Sequence, residues 1–184
     1  IAMASGRAGN VIGPGDWAQD RIVADAMRTL LKGDTLVVRN PAATRPWQHV
    51  LEPLSGYLTL GAALLDKNND WARDGWNFGP GLDAARTVAE LADEMIKVLG
   101  RGQWTTDKKG KHPHEANFLR LSIEKASNLL GWNPVWNFEE TVRRTVTGYQ
   151  TLVAAGKNKD KVRSFMAKEI GGYEQGAGAA KLDD

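Results

Sequence analysis

The segment Arg39-Asn40-Pro41-Ala42-Ala43-Thr44-Arg45-Pro46-Trp47-Gln48-His49-Val50-Leu51-Glu52-Pro53 concentrates more reactive and ligand-binding side chains than any other part of this chain. Arg39 and Arg45 offer permanent charge and paired donors. On a backbone stiffened by prolines, such a fork suits contact with a phosphate. Pro41 and Pro46 fit neither a strand interior nor a helix. The pattern therefore predicts an irregular loop that leads into a short strand, Trp47 to Val50, and then a helix. A loop with this much polar chemistry is expected to face a ligand.

Other candidate groups are weaker. Gly13-Pro14-Gly15-Asp16-Trp17-Ala18 and Gly79-Pro80-Gly81-Leu82-Asp83-Ala84 both fit G-x-G-x-x-A, a loose dinucleotide fingerprint. In each, proline replaces a backbone N–H where phosphate would need one, so a tight loop after a strand is the better reading. His112-Pro113-His114-Glu115 resembles a metal cluster, but His49 is the sole remaining histidine. Zinc needs three or four placed ligands, so the segment reads as a surface or ligand-touching loop, and no metal is expected. No Ser-His-Asp arrangement emerges. The absence of cysteine excludes disulfides, thiolate catalysis and Cys-ligated zinc. Glu139-Glu140 reads as a helix start that favours the dipole, and Arg143-Arg144 as a solvated face. Asn10 and Asn77 stand at strand ends, where ligands collect in α/β proteins.

Short strands alternating with helices must position these groups, which gives an α/β fold. Ile1 to Ala8 reads as a strand. Asp20 to Lys32 reads as a helix capped by Asp20 or Gln19 and stopped by Gly33. Leu36-Val37-Val38 is a strand, Leu54 to Lys67 a helix, and Gly75 to Phe78 a strand. Thr87 to Leu99 is a helix opened by a Thr87/Glu90 capping box. Gln103 to Thr106 and Leu119 to Leu121 read as strands. Ile123 to Leu130, Phe138 to Ala155 and Lys159 to Ile170 read as helices, with a mobile tail at 176–184. The 184 residues suit one compact unit.

Net charge is +2 and 42% of residues are hydrophobic, values that point to neither a nucleic-acid partner nor a membrane. No signal peptide is evident, and a cytoplasmic location is expected. A strand as first element suggests that something once preceded it. Met3 to Ala8, left unpaired, would invite strand pairing between copies, so a homo-oligomer is expected.

The stretches Arg7 to Ala18, Asp20 to Val23, Arg39 to Tyr57 and Trp76 to Pro80 resemble CDP-glucose 4,6-dehydratase. Lys125-Ala126 with Leu130-Gly131-Trp132-Asn133-Pro134 resembles the C-terminal signature of extended short-chain dehydrogenases acting on nucleotide sugars. The resemblance implies the C-terminal part of an extended Rossmann-type fold with a smaller α/β substrate-binding domain. That family's glycine-rich NAD loop and Tyr-x-x-x-Lys pair have no counterpart here, so no catalytic residue is assigned. The implied reaction is an internal redox lyase: NAD takes hydride from C4, water leaves across C5 and C6, and hydride returns to C6. The implied substrate is CDP-glucose or a similar nucleotide sugar. Arg45 becomes the expected pyrophosphate clamp, with Arg21 and Asn10 in support, Arg39 near the nucleotide, and His114 and Glu115 in a loop closing over it. Two alternatives remain open: another nucleotide-sugar epimerase or dehydratase, and a fragment that binds nucleotide sugars without turnover.

Overall fold

The structure, a computed structural model, describes residues 1–81, 84–106 and 121–180, with only the backbone at 179 and 180. Among the described residues, seven short strands are interspersed with six α-helices. Strand β1 is Ser5–Ala8 and β2 is Asn10–Ile12, divided at Gly9. Helix α1, Ile22–Lys32, buries Val23, Ala24, Ala26, Met27 and Leu30 on one stripe. Gly33 ends it at φ 86°, a conformation that favours glycine. Its N-cap is Arg21, without a side-chain cap bond, rather than Asp20 or Gln19.

Strand β3 is Leu36–Val38, β4 is Thr44–His49 and helix α2 is Leu51–Leu65. The strand therefore begins before Pro46, and the expected irregular loop is shorter than the prolines suggest. The pairing explains how. Thr44, Arg45 and Pro46 run antiparallel to β6, Ala85–Thr87, whereas Trp47, Gln48 and His49 run parallel to β2. Pro46 stands where the strand exchanges one partner for another, and its missing N–H costs least at such a break in the ladder. Pro53 lies in the first turn of α2, where an N–H would find no intrahelical partner.

Strand β5, Gly75–Phe78, pairs parallel with β1, and β7, Trp104–Thr106, pairs parallel with β3. The far edge of β1 has no strand partner among the described residues. Helix α3, Val88–Leu99, opens with the expected capping box: Thr87 Oγ1 accepts from Glu90 N at 3.1 Å, and Glu90 Oε2 accepts from Thr87 N at 2.7 Å. Helices α4, Glu124–Leu130, and α5, Phe138–Ala155, follow. Helix α6 runs Lys159–Ala180, ten residues past the expected end at Ile170 and into the stretch expected as a tail. Two of its glycines face close neighbours: a Cβ on Gly172 would lie 3.3 Å from Arg144 Nη1, and one on Gly176 2.8 Å from Val135 Cγ1.

One core cluster joins α1, α3 and α5 to β2, β3 and β4 through residues such as Met27, Leu30, Trp47, Leu91, Met95, Val142 and Tyr149. A second gathers Leu60, Trp76, Phe78, Ala126 and Trp132 between α2, β5 and α4.

Candidate functional site

The end of β2 and the start of α1 bound a cavity of about 600 Å³. Asn10, Arg21 and Arg45 all line it, with Trp47, Val88 and Tyr149 as walls. Asn10 arrives on β2 opposite Trp47 of β4, so strand pairing fixes both. Gly9 lets the strands approach: a Cβ there would sit 3.0 Å from Pro46 O.

The rim is the loop between β2 and α1, and four contacts among the described residues hold it. Arg28 of α1 donates to Trp17 O at 2.5 Å and to Ala18 O at 3.3 Å. Tyr149 on α5 donates its hydroxyl to Asp16 O. Trp17 packs edge-on against Tyr149, with ring centroids 4.9 Å apart. Burial, with the Asp16 charge beside it, pushes the Tyr149 phenol up to about 12, so it stays neutral at physiological pH.

The carboxylates at this rim are already engaged. Asp16 Oδ1 accepts from Ala18 N at 3.0 Å. Asp20 adopts a left-handed backbone at φ 61° and pairs with Arg39 at 3.1 Å. Arg39 thus lies one contact outside the cavity, behind Asp20. Arg45 donates to Thr44 O at 2.9 Å. The Arg21 guanidinium and the Asn10 amide make no hydrogen bond among the described residues. The Arg21 guanidinium and the Asn10 amide, beside the Arg45 charge at the same cavity, can hold a dianionic group and a hydroxyl. His114 and Glu115 lie outside the described residues, as do His112 and Asp83.

The first glycine triplet forms no dinucleotide cradle, and the second, 79–84, includes Leu82 and Asp83, which lie outside the described residues. Pro14 packs against α5 at Gly148, and the Ala18 N–H is taken by Asp16. A Cβ on Gly79 would crowd Leu121 at 3.3 Å, which makes this glycine a packing residue. Among the described residues no three His, Asp or Glu side chains group as metal ligands. No helix among them is long and apolar enough to cross a membrane.

Beyond Arg45 and Trp47, the proline-rich segment turns inward. Gln48 Nε2 donates to Phe78 O at 2.9 Å. His49 Nδ1 accepts from Leu51 N at 3.3 Å, and its ring packs edge-on against Trp136 at 4.8 Å. Burial, then the Arg144 charge, lowers His49 to about 4. Glu52 is fully buried and accepts from Val135 N at 3.1 Å, Trp136 N at 2.8 Å and Tyr173 Oη at 2.7 Å. Burial raises its carboxyl above the ordinary range, while those donors pull it back. Arg144 also departs from its expected solvated face: it lies 4.1 Å from the Trp136 ring centre and pairs with Glu140 and Glu169. Asn77 donates to Ser122 O at 3.1 Å and buttresses the strand end.

Asp16, Asp20, Trp47 and Tyr149 line the site without having been assigned to it, although Asp16 and Trp47 stand within the segments read above and Asp20 among the cap candidates. Asp16 and Asp20 were detectable as the acidic neighbours of Asn10 and Arg21. Tyr149 carries no local signal, because α5 brings it from 133 positions beyond Asp16.

The fold is shared with solved nucleotide-sugar enzymes. The structure of UDP-glucuronic acid 4-epimerase from Bacillus cereus, in complex with UDP-glucuronic acid and NAD, matches 83% of this chain and 46% of its own at TM-score 0.66 and 18% identity. That of dTDP-glucose 4,6-dehydratase from Bacillus anthracis, in complex with NAD, matches 80% of this chain and 44% of its own at TM-score 0.61 and 21% identity. The chain has the fold of a portion of these enzymes.

In sequence it is similar to CDP-glucose 4,6-dehydratase from Salmonella typhimurium, at 43% identity over 154 residues. The match takes in 83% of this chain and 42% of that relative, so the chain spans less than half the relative's length. No family model matches.

Proposed function

We propose that this chain forms the substrate-binding part of a CDP-glucose 4,6-dehydratase, and that the cavity between β2 and α1 holds the diphosphate of the nucleotide sugar. The convergence of Asn10, Arg21 and Arg45 on that one cavity carries the reading. Two guanidinium forks match two phosphates, and their charge persists at any physiological pH. Asp16 and Asp20, already engaged, leave Arg21 to the ligand. The Asn10 amide offers both a donor and an acceptor to a sugar hydroxyl. Trp47 and Val88 supply apolar wall. Arg39 acts through Asp20, and His114 and Glu115 remain assigned to a loop over the nucleotide.

In the enzyme this chain resembles, NAD supplies the hydride acceptor for the sugar. Since proline removes a backbone N–H in each glycine triplet, the reading assigns NAD to neither. By itself the chain then binds and orients substrate without turning it over.

Calorimetric titration of CDP-glucose should give saturable binding. Arg21→Ala or Arg45→Ala should weaken it about tenfold or more, the scale of a lost charge-assisted hydrogen bond. Arg39→Ala should weaken it less. Unchanged affinity in both cavity variants would remove the diphosphate from this site.

A further inference from the structure

Among the described residues, the ionised side chains that line the cavity cancel: Asp16 and Asp20 stand against Arg21 and Arg45. A site for a dianion has no need of carboxylates, which repel the charge that guanidinium groups attract. Asp16 has a structural task, since its Oδ1 accepts from Ala18 N at 3.0 Å and so shapes the rim. Asp20 makes no such bond to the main chain. Its partner among the described residues is Arg39, at 3.1 Å, and Arg39 does not itself line the cavity.

The backbone fixes where Asp20 projects. Its φ of 61° is left-handed, and among the described residues no other non-glycine adopts a positive φ. Asp and Asn enter that region more readily than most residues. Asn would therefore serve the main chain as well as Asp does. What it would lack is the charge.

Diphosphates of nucleotides fall into two charge classes. In a nucleotide sugar both phosphorus atoms are esterified on either side, and each phosphate carries a single negative charge. In a nucleoside diphosphate the terminal phosphate is a monoester and carries about −1.5 to −2 at pH 7. Two guanidinium groups match the first class. The second brings surplus charge to a rim that holds carboxylates.

Resting on the diphosphate reading above, we propose that Asp20 determines specificity. It makes this cavity favour a diphosphate esterified at both ends over one that ends in a free phosphate, and Arg39 sets the strength of that preference by offsetting the Asp20 charge. CDP shares its nucleoside and both phosphorus atoms with CDP-glucose, so a repulsive element is needed to separate them at the diphosphate. The Asp20 side chain is 75% exposed, so solvent screens it and the effect is a few-fold.

The measured quantity is the ratio of dissociation constants, CDP over CDP-glucose, from calorimetry of the purified chain at neutral pH. Asp20→Asn keeps a residue suited to the left-handed backbone and removes the charge, and it should lower the ratio about threefold. Arg39→Ala should raise the ratio, and the double variant Asp20→Asn/Arg39→Ala should return it near the parent value. Asp70→Asn removes the same charge from the short turn after α2, outside the cavity, and should leave the ratio unchanged. If the parent chain binds no CDP-glucose, the diphosphate reading and this proposal fall together. If it binds CDP-glucose and Asp20→Asn leaves the ratio unchanged or raises it, the proposal is overturned and the diphosphate reading stands. An equal fall in Asp70→Asn would also overturn it, by assigning the effect to net charge. A double variant that keeps the Arg39→Ala ratio would do so too, by placing Arg39 on the ligand itself.

Discussion

Arg45 and His49 stand four residues apart on one strand and meet opposite fates. Arg45 reaches the cavity, while His49 is 2% exposed and keeps Nε2 without a partner among the described residues. A histidine held near pKa 4 when folded, against an ordinary 6.5, takes up its proton more readily in the unfolded chain. Its contribution to stability is therefore complete above about pH 6.5 and is lost as pH falls toward 4. Denaturant titrations across that interval should show stability falling with acidification by up to about 1.4 kcal/mol per pH unit from this group. His49→Asn, which retains an acceptor for Leu51 N, should flatten that slope, and an unchanged slope would contradict the assignment. Glu52 fixes three distant donors, so Glu52→Ala should cost roughly 3 kcal/mol or more in urea unfolding. Little of this was readable beforehand. The residue types around Arg45 and Glu52 announced unusual chemistry, but not which side chains would turn outward. That choice rests on Val135, Trp136 and Tyr173, more than eighty positions away from Glu52.

At the scale of elements, signals carried by neighbouring residues were legible. The Thr87/Glu90 capping box and the left-handed Gly33 begin and end helices where residue type predicted, and α3, α4 and α5 meet Gly100, Gly131 and the Asn137 cap at or within a residue of their expected bounds. Thr87→Ala should lower stability by about 1 kcal/mol, read as a shift in the denaturant midpoint. Elements defined by a partner were not legible. β6 has three residues and no apolar alternation, and it exists because it pairs with the first half of β4. α6 continues through glycines that composition assigns to a tail, and at Gly176 the approach of Val135 leaves no room for a Cβ. Gly56 records the same kind of constraint on α2: a Cβ there would fall 2.2 Å from Phe78 Cδ1, inside the second core. Gly56→Ala should cost about 1–3 kcal/mol by overpacking, measured by thermal or urea unfolding.

Across the whole molecule, a corner cavity beside the first core collects polar and charged residues from β2, β4 and the loop before α1. The resemblance in Arg7 to Ala18 and Arg39 to Tyr57 pointed to that corner because both stretches meet there, although they are distant in sequence. His114 and Glu115 fall outside the described residues, so their part in the site rests on resemblance alone. The most direct test of the account is a calorimetric titration of the purified chain with CDP-glucose, using dTDP-glucose and GDP-mannose as comparisons. Saturable binding that favours CDP-glucose is the predicted result. No binding of any nucleotide sugar, or equal binding of all three, would contradict it.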